Sequence, residues 1–228
     1  MKYLRKFATE ADVLMTAKPN VVLVGDTSKV IYNQYGGVYI QHIDGRLFPI
    51  NKWSAEGFSN EEANGVAVLA NEASFVIAKE DCSSAKFKWG GYNVTVNNIV
   101  TSKDLSVAKL DYNGASNTNK IITRLKGYVD SQSTSGAPAA QACADYVFPN
   151  RQVGYLPSLG EWELTRDYRW DIEDALSIIG GKAPSATYWT STQYSATSAW
   201  RFALSNFNIG SGAKGYTHNV RAFAPLNI

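Results

Sequence analysis

The sequence predicts an α+β domain with two main helices and a small twisted antiparallel sheet, preceded by a short helix-and-hairpin segment. Three observations support this class. Short apolar runs separated by Gly, Asn, Asp and Ser are typical of antiparallel strands and their turns. Two stretches combine a helix-start signal with an apolar face at helical spacing. The 228 residues include 13 Tyr and 6 Trp but only 18% charged residues, which is typical of a globular, β-rich protein.

Charge and hydropathy exclude two broad classes of function. The formal net charge of +2 is too small for a protein that binds nucleic acid through bulk positive charge. No run approaches the roughly 18 apolar residues that a membrane-spanning helix needs. The first residues are basic but include neither an apolar stretch nor a cleavage site, so no export signal is predicted. We therefore expect a chain that folds in a cytosol, binds no nucleic acid and does not insert into a membrane.

Residues 1–35 are predicted to form a separate attachment or oligomerisation segment. Thr9 and Asp12 fit a capping box at the start of a short helix, and two short apolar strands around a turn follow it. A single helix and hairpin cannot bury much core alone. The segment should therefore dock on another chain or a symmetry mate, while residues 36–228 form the main domain.

The first half of the main domain is predicted to contain short strands and one helix. The strand candidates are Val38–Ile43, Gly65–Ala70, Ser74–Ala78 and Asn93–Val100. Asp44 and Gly45 lie between two apolar stretches, which indicates a hairpin. The helix is predicted to follow Asn117 as its N-cap, because Ile121 and Leu125 then share one face.

The second half begins with helices and ends with strands. A short helix is predicted around Ala139–Tyr146, and a stronger helix start lies at Ser158, which forms a capping box with Glu161. The helical pattern continues to Ile179 and ends at Gly180. The last strand candidates are Tyr188–Ser191, Ala199–Leu204 and Val220–Ala224.

The Ser158–Ile179 helical region carries both aromatic and acidic residues. Trp162 and Trp170 are assigned to its apolar faces. Its carboxylates are expected on a solvent-exposed helix face, and they are Glu161, Glu163, Asp171, Glu173 and Asp174.

No motif for catalysis, a cofactor or a metal is present. Cys82 and Cys143 are predicted to be reduced, separately buried thiols; one disulfide is the open alternative, because spacing alone does not show proximity. His42 and His218 are isolated from other zinc ligands. The glycine-rich stretch 210–215 lacks the spacing of a phosphate loop.

A series of short motifs in a fixed order resembles a known family. The motifs are Asp111–Thr118, Ala142–Phe148, Gly154–Trp162, Tyr188–Trp200 and Val220–Pro225. Their order resembles C-type-lectin-like domains from surface proteins of gut bacteria and from their phages, including target proteins of diversity-generating retroelements. The resemblance covers roughly residues 38–228 and implies a C-type-lectin-like fold. Residues 1–35 resemble attachment segments of crAss-like phage fibre proteins.

The resemblance implies a loop-rich, outward-facing surface on the last strands. Eight residues are predicted to bind a ligand there: Gln193, Tyr194, Ser195, Asn206, Asn208, Ser211, Tyr216 and His218. Tyr, Ser and Asn are the residue types that adaptable binding surfaces use. Trp189 and Trp200 are expected in the core, and Arg221 is expected to make structural hydrogen bonds. No catalytic residue, metal or cofactor is predicted.

The leading functional hypothesis is a non-enzymatic phage virion protein, a head- or tail-fibre subunit made in the host cytoplasm. Residues 1–35 would contact other virion proteins, three copies would assemble into a homotrimer, and the main domain would bind a host surface glycan or protein. One alternative is a bacterial cell-surface adhesin or pilus-tip protein, which requires export. Another is a carbohydrate-active enzyme, which requires a cleft with two suitably spaced carboxylates.

Overall fold

A computed structural model describes residues 36–226, and in this range the chain is α+β, with small antiparallel sheets and few helices. The predicted fold class is confirmed at this level. The predicted attachment segment, residues 1–35, lies outside the described residues. No helix between residues 36 and 226 combines the length and the apolar composition needed to cross a bilayer.

The described part of the chain contains ten strands, six α-helices and two short 3-10 helices at Ser54–Glu56 and Asn60–Glu62. The strands are β1 (Gly37–His42), β2 (Leu47–Pro49), β3 (Ala63–Leu69), β4 (Ser74–Ile77), β5 (Phe87–Lys88), β6 (Tyr188–Gln193), β7 (Ser198–Ala203), β8 (Asn208–Ala213), β9 (Thr217–His218) and β10 (Phe223–Pro225). The helices are α1 (Ile50–Trp53), α2 (Leu105–Ala108), α3 (Gly114–Leu125), α4 (Pro138–Ala144), α5 (Leu159–Leu164) and α6 (Arg169–Ile178).

The central sheet has five antiparallel strands in the order β10-β4-β3-β1-β2. The hairpin predicted at Asp44 and Gly45 connects β1 to β2. Gly45 has a φ of 95°, a left-handed conformation that glycine adopts without steric cost, and its N–H donates to His42 O at 2.9 Å.

Both faces of the central sheet are buried. Val66 and Val68 of β3 face one hydrophobic cluster, while Ala67 and Leu69 face the other. Residues of α3 and α4 belong to the second cluster, and residues of α5 and α6 belong to the first. Because successive side chains of a strand point to opposite faces, a strand covered on both sides is apolar throughout.

A second, three-stranded antiparallel sheet has the order β6-β7-β8, and β5 pairs separately with β9. Trp189 of β6 is fully buried and its indole N–H donates to Phe87 O at 2.8 Å. Trp200 of β7 is 5% exposed and donates to Ser102 O at 2.9 Å. The prediction that both tryptophans lie in the core is confirmed.

The capping box at Ser158 is confirmed. Ser158 N–H donates to Glu161 Oε2 at 2.7 Å, and Glu161 N–H donates to Ser158 Oγ at 3.4 Å. The expected exposure of Glu161 is wrong, because its carboxylate turns inward, accepts a hydrogen bond from Tyr155 at 2.9 Å and is 4% exposed. The helical region ends as predicted at Gly180, whose φ is 69°.

Two local predictions are wrong. Asn117 lies inside α3 rather than capping it, since its side-chain amide donates to Asp111 Oδ2 at 2.9 Å. The range 93–100 is not a strand, because Asn93 and Asn98 adopt left-handed φ values of 67° and 60° that interrupt any extended run.

Candidate functional site

Seven of the eight predicted binding residues lie in the β6-β7-β8 sheet or in the turns beside it, and His218 lies in β9. β7 pairs with β8 from Ser198 opposite Ala213 to Ala203 opposite Asn208. The turn at 194–197 therefore adjoins one end of the sheet, and the turn that carries Asn206 adjoins the other. Six residues of extended strand separate the two ends by about 17 Å. The predicted residues thus do not form one compact face.

The first end of this sheet offers one well-exposed ring. Tyr216 is 67% exposed. Tyr194 is half-buried and makes an edge contact with Trp200 at 5.0 Å between ring centroids. Ser195 Oγ accepts hydrogen bonds from the N–H groups of Thr197 and Ser198, both at 3.2 Å. Tyr194 and Ser195 therefore contribute mainly to the structure of the turn.

The predicted outward-facing position of Gln193 is wrong, because its side chain is completely buried. Its Oε1 accepts from Lys214 Nζ at 2.7 Å and from Val96 N–H at 3.1 Å. Its Nε2 donates to Thr101 Oγ1 at 2.7 Å. The segment around Val96 and Thr101 covers the end of β6, so Gln193 connects two parts of the chain internally and is not available to a ligand.

Ser211 and His218 lie between the two ends and are half-buried. The His218 ring makes an edge contact with Trp189 at 4.5 Å. Burial, followed by the positive charges of Arg201 and Lys86, lowers the pKa of His218 to about 4, so the ring is neutral at physiological pH. Ser211 O accepts from Arg201 Nε at 3.2 Å. The His218 ring is therefore engaged in a structural contact, whereas Ser211 contributes its backbone carbonyl to the hydrogen bond with Arg201.

The second end presents two exposed amides. Asn206 and Asn208 are exposed, and Asn206 Oδ1 accepts from Asn208 N–H at 3.1 Å. Arg169 of α6 donates to Ser205 O at 2.8 Å, which attaches the β7–β8 turn to the helix. This hydrogen bond gives the two amides a fixed position relative to α6.

An exposed aromatic residue lies beside this turn. Trp170 is 73% exposed, more than any other large hydrophobic side chain in the described range. The Arg169 guanidinium lies 4.5 Å from the centroid of the Trp170 ring and 5.5 Å from that of Phe207. Arg166 lies 5.0 Å from the Phe207 ring, so rings and guanidinium groups alternate in one row. We call this area the Trp170 surface, and its members are Arg166, Arg169, Trp170, Asn206, Phe207 and Asn208.

Ion pairs fix the arginines of the Trp170 surface. Arg169 Nε lies 2.8 Å from Glu173, and Arg166 Nη2 lies 2.9 Å from Glu163. Lys109 Nζ pairs with the other oxygen of Glu163 at 2.7 Å. The guanidinium groups are therefore already neutralised in part, and they support the aromatic rings as a fixed, nearly neutral surface.

The assignment of Trp170 to an apolar helix face is wrong. The buried residues of α6 are Ile172, Ala175 and Leu176, and Ile179 continues the same face beyond the helix end. Trp170 precedes Ile172 by two positions, which at about 100° per residue places it on the opposite side of the helix. The spacing within α6 could therefore have identified Trp170 as an exposed residue.

Two buried carboxylates form a polar network beside β6. Asp111 Oδ2 accepts from Thr192 Oγ1 at 2.7 Å, as well as from the Asn117 amide. Burial raises the pKa of Asp111 and of Glu161. Asp111 has no exposed surface and Glu161 is 4% exposed, so neither lines an open cleft.

A polar groove of about 460 Å³ lies elsewhere on the domain. Its lining residues are Asn60, Glu61, Lys79, Glu80, Asp81, Tyr146, Ile179 and Gly180. Asp81 accepts hydrogen bonds from Arg221 Nε at 2.8 Å and from Tyr188 and Asn219 at 3.0 Å, which confirms the structural role predicted for Arg221. Among residues 36–226, no three His, Cys, Asp or Glu side chains gather in a way that could hold a metal ion.

The fold is similar to that of a fimbrial protein from Bacteroides ovatus ATCC 8483 whose crystal structure is known, with a TM-score of 0.58 and 14% sequence identity. The similar region covers 84% of this chain and 48% of the fimbrial protein, so this chain spans about half of that protein's length. No family model matches the sequence. No curated protein matches it either. The chain therefore shares its fold with part of that fimbrial protein.

Proposed function

We propose that this protein is a non-enzymatic subunit of a bacterial surface appendage and acts as an adhesin through the Trp170 surface. One observation carries this proposal: a tryptophan that is 73% exposed is held beside two exposed asparagines by ion-paired arginines. The fold shared with a fimbrial protein supports the appendage role over the other hypotheses.

Trp170 has the properties of a binding anchor. Because Arg169 covers one face of the indole while most of the side chain stays exposed, the opposite face is available to a partner. An indole face can pack against the C–H face of a sugar ring or against an apolar protein patch. Tryptophan and arginine, together with tyrosine, are the residues most enriched among those that dominate binding energy.

Asn206 and Asn208 supply the polar part of the same surface. Side-chain amides offer both donors and acceptors, which matches the hydroxyl groups of a glycan. The β7–β8 turn is attached to α6 through Arg169, so little conformational entropy would be lost when a ligand binds. The proposed ligand class is therefore a surface glycan or a glycosylated protein.

A phage-fibre subunit with a C-type-lectin-like fold is the second candidate. It is supported by the motif order in the sequence and by the capping box at Ser158, which lies within one of those motifs. This candidate would use the same Trp170 surface on a virion assembled in the host cytoplasm, whereas the adhesin requires export. The carbohydrate-active enzyme is less well supported, because Asp111 and Glu161 are closed to solvent.

The experiment compares Trp170→Ala with Tyr216→Ala. Both residues are exposed aromatics, but they lie at opposite ends of the β6-β7-β8 sheet, so each variant is the matched control for the other. Labelled protein is tested against an array of bacterial and mucin-type glycans and against intact gut bacteria. We expect Trp170→Ala to weaken binding roughly 5- to 150-fold, as for an interface anchor, and Tyr216→Ala to bind like the wild type.

The opposite pattern, with binding lost in Tyr216→Ala and kept in Trp170→Ala, would move the recognition surface to the other end of the sheet. Wild-type protein that binds no glycan and no cell would refute the adhesin role and leave only the role of a structural subunit. Glycan cleavage on the array would refute the non-enzymatic assignment.

A further inference from the structure

The two cysteines of the chain lie next to each other, although they are 61 positions apart in sequence. Cys82 Sγ is 3.7 Å from Cys143 Sγ, which is direct contact between two thiols. The prediction that they are separately buried is therefore wrong. Bond formation at about 2.05 Å would require each sulfur to move by less than about 1 Å.

Defined backbone contacts hold both residues in place. Cys82 follows β4, and its N–H donates to Val220 O at 3.0 Å. Cys143 lies in α4 and is completely buried. Cys143 belongs to an apolar cluster and Cys82 packs against that cluster, an environment that accommodates an uncharged disulfide. A bond between them would attach α4 to the strand region without a change of fold.

The described surroundings of the cysteine pair support neither metal binding nor a part in the two surface sites. The chain has only two cysteines, so each has a single intramolecular partner. Within residues 36–226 no third His, Cys, Asp or Glu joins the pair as a metal ligand. Neither cysteine contributes to the Trp170 surface or to the groove lining.

We propose that Cys82 and Cys143 are a cross-linking site that forms an intramolecular disulfide when the folded chain meets a disulfide donor. Cys82 is only half-buried, so its thiolate attacks the donor first, forming a mixed disulfide and releasing one donor thiol. Cys143 Sγ then attacks Cys82 Sγ while its proton passes to the departing donor sulfur, and the second donor thiol is released. The two protein thiols lose two electrons and two protons, and the donor disulfide is reduced to two thiols.

The two functional candidates require different compartments, and the oxidation state of the two cysteines should differ between these compartments. Secreted and surface proteins keep disulfides, whereas cytosolic proteins keep their thiols reduced. An exported appendage subunit would therefore carry the bond. The cross-link and the Trp170 surface involve different residues, so failure of either proposal does not decide the other.

The test incubates full-length protein overnight with oxidised glutathione, then unfolds it and alkylates the free thiols with N-ethylmaleimide. Intact mass spectrometry is expected to show no added maleimide, no retained glutathione and the loss of two hydrogen atoms. Peptide mapping should join the segments containing Cys82 and Cys143. Closing a loop of about 60 residues should raise the midpoint of thermal unfolding by about 10 °C, reversibly with dithiothreitol.

Cys82→Ser and Cys143→Ser are the matched controls, and neither should lose two hydrogen atoms. Cys143→Ser should stop at the mixed disulfide and retain one glutathione on Cys82, whereas Cys82→Ser, whose remaining thiol is fully buried, should not react. Because Cys143 is fully buried, Cys143→Ser can fail to fold, and the half-exposed Cys82→Ser then serves alone. Wild-type protein in which both thiols are alkylated, in which glutathione stays attached to Cys82, or in which dimers form instead would overturn the proposal.

Discussion

Lys214 should make the stability of the domain increase with pH. The side chain has no exposed surface, and among the described residues it forms no ion pair. Its Nζ donates to Val94 O and to Gln193 Oε1, both at 2.7 Å, and lies 4.4 Å from the centroid of the Trp89 ring. Burial lowers the pKa of Lys214 from 10.5 to about 7.

The direction of this pH dependence follows from the number of protons that the folded and unfolded states bind at Lys214. Between pH 7 and pH 10.5 the unfolded chain binds a proton at Lys214 that the folded chain does not, so the free energy of unfolding rises with pH. Below about pH 7 Lys214 is protonated in both states, and the cost of burying the charged amine lowers the free energy of unfolding by about 5 kcal/mol. Between about pH 7 and pH 9, linkage gives the wild type a gain of about 2 kcal/mol.

Lys214→Met removes the amine but keeps an unbranched apolar chain. Near pH 6 the loss of the charge penalty should outweigh the cost of removing the donor, which leaves Val94 O unpaired at about 1–3 kcal/mol while Gln193 Oε1 keeps the Val96 N–H. Near pH 9 the variant should have lost most of this advantage, because the stability of the wild type rises with pH and that of the variant does not. Denaturant unfolding followed by tryptophan fluorescence at several pH values measures the difference, and Lys103→Met at an exposed position is the control.

A stability difference between wild type and Lys214→Met that does not change with pH would refute this reasoning. So would a difference that changes equally in Lys103→Met. Either result would mean that Lys214 is charged in the folded state over the whole range, with its hydrogen bonds compensating for burial.

Two further predictions concern the core and the assembly. Trp200→Ala should lower the free energy of unfolding by about 3–5 kcal/mol, because it leaves a cavity in the core. Trp170→Ala, at an exposed position, should change the free energy of unfolding by less than about 0.5 kcal/mol. Equal effects of the two substitutions in denaturant unfolding would contradict the burial assignment. Deletion of residues 1–35 should convert a trimer into a monomer, because the apolar runs of this segment are too short to be buried without a partner. If light scattering gave the same oligomeric state for the full-length protein and the deletion variant, residues 1–35 would have no role in assembly.

Local signals in the sequence predicted local structure well. Asp44 and Gly45 predicted the β1–β2 hairpin, and Ser158 with Glu161 predicted the start of α5, because each signal operates within a few residues. The core positions of Trp189 and Trp200 also followed from their apolar strands. Residues 93–100 alternated like a strand, but two of their three asparagines, Asn93 and Asn98, adopt left-handed conformations, as this residue type does easily.

Contacts between distant segments could not be predicted in the same way. Gln193 looked like an exposed loop residue because its partners, Val96 and Thr101, lie more than 90 positions away. The contact between Cys82 and Cys143 likewise depends on how β4 and α4 pack. Periodicity describes one element at a time, whereas these contacts depend on the relative placement of two.

These long-range contacts give the two ends of the β6-β7-β8 sheet different tolerances to sequence change. At the end near Tyr216, Gln193 and Lys214 hold the segment around Val96 from inside, so substitutions there would leave buried polar groups without partners. At the other end, Asn206 and Asn208 project into solvent beside the β7–β8 turn, which Arg169 attaches to α6, and Trp170 projects into solvent from α6 itself. Their side chains can change without loss of a buried hydrogen bond. Variation in ligand specificity should therefore concentrate on the Trp170 surface, where the scaffold is independent of the side chains displayed.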